Sequence, residues 1–197
     1  MKTEVLVKCY PSIPFDETEI LRYAGCKKKS EQIASLLSEC MAEAKEKICY
    51  RVCFCTLPAS VAENGCDFGA FSLESRHLAR RLQGSKEAIL FAATLGLDLD
   101  RLIARYGRLS PAKGLLFQAI GAAQIEALCD QFCRDIEKDA GVRLLPRFSP
   151  GYGDLPLSVQ KKIFSCLGCE ERIGLFLNDS LLMIPTKSVT AFAGIIP

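Results

Sequence analysis

The sequence predicts an α+β fold built on a mainly antiparallel sheet. Three observations carry this expectation. Strand-like and helix-like segments follow one another in mixed order, not in the strict alternation of a doubly wound parallel fold. Two places read as strand–turn–strand hairpins, around Glu63-Asn64-Gly65 and around Asn178-Asp179. No internal repeat or low-complexity linker interrupts the 197 residues, a length that suits one ordinary domain.

Taken in order, residues 4–10 read as a strand, ended by Pro11 and Pro14. Asp16 is placed to cap a short helix through Ala24. Ser30 opens a stronger helix to about Lys47, with Ile33, Leu36, Leu37, Cys40, Met41 and Ala44 as its apolar stripe. Residues 48–57 and 67–73 read as strands, with Cys53 and Cys55 on the face opposite Val52 and Phe54. A short basic helix, His77 to Leu82, follows Ser75. Lys86 to Gly96 reads as a buried strand closed by a glycine turn, and Leu97 to Tyr106 as a helix. Pro111 sits where a first-turn proline is tolerated, opening a long helix to about Lys138 that Gly141 ends. Along it Leu116, Ile120, Ala123 and Ala127 recur at helical spacing, and Gly121-Ala122-Ala123 leaves room for a close neighbour. Leu157 to Leu167 reads as an amphipathic helix, and 173–177, 180–184 and 188–195 as three strands. Residues 1–74 form an N-terminal strand and helix region and 75–197 the core that carries the chemistry, within one compact unit.

Composition narrows the function classes. With 49% hydrophobic and 24% charged residues the chain can bury a sizeable core. Net charge is +2 and the longest basic run is Lys27-Lys28-Lys29, read as a solvated turn, so nucleic-acid binding has no electrostatic footprint. The N-terminus lacks the apolar core of a signal peptide, and no apolar run nears the roughly 20 residues that span a bilayer. A cytosolic protein is expected. The eleven cysteines fit that compartment as reduced thiols, since an odd count without a secretion signal argues against a disulfide framework.

The segment richest in chemistry is Arg147-Phe148-Ser149-Pro150-Gly151-Tyr152-Gly153-Asp154. Two glycines flank Tyr152, so the backbone can turn sharply and approach a ligand closely. Pro150 holds its predecessor extended and removes an amide donor. Arg147 offers a planar fork suited to a carboxylate, and Tyr152 a ring face with a hydroxyl. A ligand joining a carboxylate to a flat heterocycle matches that set; a surface turn bearing an arginine is the bland alternative.

Arg147-x-x-x-Gly151-Tyr152 resembles the signature of the activation domain of cobalamin-dependent methionine synthase. The chain as a whole resembles the short, free-standing proteins similar to that domain. Supporting stretches are Leu90 to Gly96, Ala119 to Glu126, Ser149 to Pro156 with Gln160, and Pro185 to Thr190. After the tyrosine, Gly153-Asp154-Leu155-Pro156 departs from the full-length enzyme's motif, and Pro197 falls short of the family's further ligand-contacting aromatics. The resemblance implies an S-adenosylmethionine site. Arg147 would take the methionine carboxylate, Ser149 and Gly151 would give backbone contacts, and Glu126 would pair with the ammonium or stabilise the sulfonium. Tyr152 would lie beside the methyl-transfer path, as the catalytic candidate.

The implied activity is reductive methylation of a corrinoid, reactivating a partner such as a methionine synthase that lacks its own activation domain. Cobalamin would be carried by that corrinoid methyltransferase, because no Asp-x-His-x-x-Gly segment is present. The electron would come from a separate reductase or flavoprotein. Methyl transfer needs no general base, so a single histidine suffices; His77 is read as a surface or capping residue and Asp130 as a solvated helix acid. The rival readings are a metal or redox protein, using Cys166 and Cys169 with Cys129 and Cys133, and a ligand sensor of the same fold.

Overall fold

The chain is described by a computed structural model over residues 4–26 and 30–196. The Lys27-Lys28-Lys29 turn lies outside the described residues. Strand β1 (Leu6–Tyr10) leads to helix α1 (Glu17–Tyr23), whose N-terminal amides at Thr18 and Glu19 are capped by the Asp16 carboxylate. Helix α2 (Glu31–Lys47) starts at Ser30, whose hydroxyl accepts from the Ile33 amide. Strand β2 (Tyr50–Pro58) follows, then the short strands β3 (Ser60–Ala62), β4 (Gly65–Asp67) and β5 (Ser72–Glu74). Helix α3 (Arg76–Arg81), strand β6 (Glu87–Thr94), helix α4 (Leu97–Leu109) and the 30-residue helix α5 (Pro111–Ala140) come next. Strand β7 (Arg143–Leu144), helices α6 (Val159–Leu167) and α7 (Cys169–Ile173), strands β8 (Phe176–Leu177) and β9 (Met183–Ile184), and strand β10 (Ser188–Ile196) complete the order.

The main sheet has the strand order β1-β2-β6-β10-β7, and every neighbouring pair is antiparallel. It draws strands from both sides of residue 74. The expected α+β architecture with an antiparallel sheet is what the chain adopts. Because side chains alternate across a strand, the central strands feed two cores. Val52, Phe91, Ala93 and Ala191 face helices α1, α2, α4 and α5, with Phe132 of α5 packed edge-on to Phe54 and tilted on Phe91, each at 5.0 Å between ring centroids. Cys53, Cys55, Leu90, Ala92 and Phe192 face the opposite side, against α3, α6, α7 and the small sheet, where Phe68 stacks on Phe192. Each such fully buried large apolar side chain contributes roughly 1.5–3 kcal/mol of transfer free energy.

The local expectations that failed did so at turns. The strand expected over 67–73 is broken, because Gly69 takes a positive φ of 75° and its amide donates to the Asp67 carboxylate, closing a turn between β4 and β5. The expected strand 173–177 is mostly helix α7 and a glycine turn: Gly168 and Gly174, both left-handed, bracket that helix and leave only Phe176–Leu177 extended. Likewise 180–184 shortens to Met183–Ile184, since the turn begun at Asn178 runs to Leu182, whose amide donates to the Asn178 side chain. Helix α6 begins at Val159 instead of Leu157. Strand β7 has no counterpart in the sequence reading.

Candidate functional site

The site is built on the outer edge of β10. Leu144 and Arg143 pair with Ile195 and Ile196, the Leu145 amide donates to Gly194 oxygen, and Phe148 exchanges both backbone hydrogen bonds with Phe192 at 2.9 Å. The chain from β7 to Phe148 therefore runs alongside β10 as a near-strand. Phe148 packs into the core containing Phe192, so alternation sends Arg147 the other way, towards α5. Beyond Phe148 the outer edge of β10 is left free, and a cleft of about 850 Å³ opens there. Its lining includes Glu126 and Asp130 of α5, the segment 144–150, Tyr152, Gln160, Met183 and residues 188–190.

Arg147 closes the α5 side. One guanidinium nitrogen donates to Glu126 Oε2 at 2.9 Å and the other to Asp130 Oδ1 at 2.5 Å. The Arg147 side chain is 23% exposed while both carboxylates are about half exposed. Burial alone would lower the guanidinium pKa, but the hydrogen bond to Asp130 and that carboxylate's charge outweigh it and hold the pKa above its ordinary value. Glu126 and Asp130 are one helical turn apart on one face, and the arginine fork spans both. Asp130 is thus not the isolated solvated acid the sequence suggested; its spacing from Glu126 was the available signal. This cluster carries one net negative charge, and the rest of the lining, with Arg81, Arg134 and Glu137, restores balance.

The loop that follows is fixed from two sides. The Gly151 amide donates to Leu155 oxygen, and the Leu155 amide to Tyr152 oxygen, so 151–155 folds on itself with Gly151 at φ +91° and Gly153 at φ +57°. A Cβ on Gly153 would stand 2.3 Å from His77 Nδ1, so the glycine is required both for its backbone angle and for the imidazole beside it. That imidazole nitrogen accepts from the Asp154 amide at 3.2 Å. The Asp154 carboxylate in turn accepts from the Ser75 hydroxyl and from the Arg76 and His77 amides at the start of α3. Those bonds, the Ser75 one foremost, hold its pKa at about 2. Gly153 and Asp154 thus lock the loop to α3. Tyr152, held at the apex, is 67% exposed on the rim of the cleft, and Ser149 lines its wall.

Two lining residues carry unmet hydrogen-bonding capacity. Gln160 and Thr190 are 4% and 2% exposed, and among the described residues neither Gln160 Oε1 nor Thr190 Oγ1 has a partner. Gln160 interrupts the apolar face of α6 between Val159 and Ile163, which is a signal a sequence carries; Thr190, inside an apolar strand, gives none.

The cysteines are sorted by the sheet. Cys129 and Cys133 belong to the core under α5, and Cys166 and Cys169 to the opposite one. The four thiols proposed as a metal set therefore do not converge, and among the described residues no group of three or more His, Cys, Asp or Glu is placed to hold a metal ion. Instead Cys169 Sγ lies 3.9 Å from Cys53 Sγ, and Cys166 neighbours Cys55.

The fold and this edge-of-sheet cleft define an α+β domain in which helices cover both faces of an antiparallel sheet. No family model matches the chain, and no curated protein matches it in sequence. Among solved structures, the crystal structure of the MetH reactivation domain bound to AdoHcy matches with a TM-score of 0.70. The match is at 15% identity and covers 98% of this chain and 78% of that one. At that identity the likeness is one of fold. No helix among the described residues is long and apolar enough to cross a membrane.

Proposed function

We propose that the cleft binds S-adenosylmethionine and presents its methyl group to a corrinoid held by a partner protein in the cytosol. The observation that carries this reading is a coincidence of fold and motif. The chain shares its fold with a domain described as binding AdoHcy, and Arg147 and Tyr152 of its Arg147-x-x-x-Gly151-Tyr152 segment line a cleft in which cations, carboxylates and two unpartnered buried polar groups meet.

The electrostatics suit an amino-acid ligand. Arg147 is already bound to two carboxylates, so a ligand carboxylate must displace one of them. A zwitterion does this without stranding charge: its carboxylate takes the Arg147 fork, and its ammonium takes the acid released, Glu126 or the more exposed Asp130. A sulfonium adds a positive charge, which the net negative cluster stabilises at short range. Ser149 and Gly151 supply backbone contacts in the loop. When the S–CH3 bond breaks its electron pair stays on sulfur, leaving a neutral thioether and removing that attraction, which favours product release.

A corrinoid, when brought by the partner, supplies the reduced cobalt centre that accepts the methyl group. This chain's task is placement, and holding the methyl about 3–3.5 Å from its acceptor and in line gains the proximity advantage. The exposed Tyr152 ring lies on the rim, where a partner-held cofactor would meet the cleft. A reductase or flavoprotein would supply the electron that keeps the partner's metal reduced, and a methionine synthase without its own activation domain is the partner this chemistry fits.

Calorimetry tests the reading. Wild type should release heat with S-adenosylmethionine, and Arg147→Ala should weaken binding by about 100-fold, the scale of losing charge-assisted hydrogen bonds worth roughly 1.5–3 kcal/mol each. No binding by the wild type would sink it. Transfer of labelled methyl to a partner's cobalt only in the presence of this protein then separates a reactivation protein from a sensor.

A further inference from the structure

We infer that Gln160 and Thr190, with the free backbone edge of β10, form the neutral end of the cleft and recognise the hydrogen-bonding edge of a planar nitrogen heterocycle. Resting on the reading above, that heterocycle is the adenine of an adenosyl compound.

The first observation is the pair of orphaned side chains. Buried polar groups are nearly always hydrogen-bonded, and leaving one unmade is costly. The protein meets that requirement elsewhere. Gln124, equally buried on the other side of the sheet, accepts from the Tyr50 hydroxyl at 2.6 Å and donates to Pro14 oxygen at 3.2 Å. Gln160 Oε1 and Thr190 Oγ1 have no such partners among the described residues, and both residues line the cleft. The third orphan, Ser85 Oγ, lies away from it. Thr190 shares a strand face with Phe192, and α6 packs on that face, so the two unpaired groups lie on the same side of the sheet.

The second observation is independent and concerns the backbone. Lys187 oxygen accepts from the Leu95 amide on the β6 side, whereas Phe192 directs both its N–H and its C=O outward to Phe148. Alternation along an antiparallel strand therefore turns the Thr190 N–H and C=O to the outer edge as well. Among the described residues no strand pairs with that edge at 188–190. A parallel donor and acceptor side by side match a ring nitrogen next to an exocyclic amine. The Gln160 amide and the Thr190 hydroxyl can each donate or accept, so they complete the match from above the edge. Phe148, Pro150 and Met183 supply apolar walls for a flat ring.

The charged end of the cleft, at Arg147, lies towards α5, and this neutral end lies towards α6. One ligand spanning both must carry an amino-acid-like group at one end and a heterocycle at the other.

The experiment compares S-adenosylhomocysteine with its inosine analogue, in which a carbonyl replaces the amine, using wild type, Thr190→Val and Gln160→Leu. Wild type should prefer the adenosyl compound by at least tenfold. Each variant should lose roughly tenfold in affinity for it while the free protein's melting temperature holds or rises, because an unpaired buried polar group has been replaced by an apolar one of similar shape. That opposition between affinity and stability is what a merely structural role would not produce. Variants that bind as tightly as wild type with unchanged adenine preference, or a clear fall in the melting temperature of free Thr190→Val, would overturn the inference. Failure of wild type to bind either compound would instead overturn the proposed function.

Discussion

The two faces of the main sheet are built by different means. Towards α5, four helices cover the strands, and the longest runs for 30 residues with its burial set by helical spacing. Towards α6, the cover is made of short pieces: a six-residue α3, a nine-residue α6, a five-residue α7 and strands of three residues, joined through left-handed glycines. Order on the first face comes from periodic apolar burial, and on the second from turns and caps. The cleft lies where the faces meet, at the outer edge of β10, and draws Glu126 and Asp130 from the α5 face and Gln160, Thr190 and Arg81 from the other.

Two glycines measure this difference most directly. Gly153 needs a positive φ, and any Cβ there collides with the His77 ring, so Gly153→Val combines left-handed strain of roughly 1–2 kcal/mol with overpacking of roughly 1–3 kcal/mol. At roughly 2–4 °C per kcal/mol for a chain of this size, the melting temperature should fall by about 4–20 °C. Gly121 sits within α5, and a Cβ there meets only the methylenes of the Lys187 side chain, at 2.9 Å. The lysine can shift, and alanine improves helix propensity by up to about 1 kcal/mol, so Gly121→Ala should change the melting temperature by no more than about 4 °C in either direction. Thermal denaturation followed by circular dichroism reads both. Equal shifts would show that the two faces tolerate change alike, and the comparison would break.

The same contrast explains what was legible in the sequence. Helices α2, α4 and α5 and strands β2, β6 and β10 were readable because their burial repeats over many residues, and the caps at Ser30 and Gly141 marked the start of α2 and the end of α5. The second face was misread at Gly69, Gly168 and Gly174, where one left-handed residue decides between strand, turn and helix and no period announces it. Within the site, Arg147, Ser149, Gly151 and Tyr152 fall in one short segment and were visible together, and Glu126 was reached through the resemblance. The join of Arg147 to Asp130 is set by the pairing of Phe148 with Phe192, a long-range contact that local pattern does not encode. Thr190 was invisible as an orphan, because being unpaired is a property of the surroundings.

Asp154 gives the next largest expected effect and belongs wholly to the α6 side. Its carboxylate titrates at about 2 in the folded chain against an ordinary 3.8, so the folded state holds the charged form. The stabilisation is fully present above the ordinary carboxylate pKa and is lost as pH falls from about 4 to about 2. Asp154→Asn should lower the melting temperature near neutral pH by less than Gly153→Val does, and should flatten the decline of stability between pH 4 and pH 2. An unchanged acid limb in that variant would show that the Ser75, Arg76 and His77 contacts do not fix the loop.

The smallest effect concerns reactivity, where Cys166 on the α6 side differs from the thiols under α5. On the α5 side burial pushes the Cys129 and Cys133 thiols up, away from the thiolate. On the α6 side hydrogen bonding from Cys55 favours the thiolate of the half-buried Cys166 and holds its pKa below the ordinary thiol value, against the desolvation that opposes it. Since the thiolate is the nucleophile, alkylation of Cys166 by iodoacetamide, followed by peptide mass mapping, should rise with pH about a midpoint below that of an ordinary thiol. Cys129 should stay unmodified throughout. Replacing Cys55 with alanine removes the donor and should move the Cys166 midpoint upward. If the midpoint did not move, the thiol contact between strand and helix would be absent, and the α6 face would hold its cysteines as the α5 face does, as small apolar packing groups.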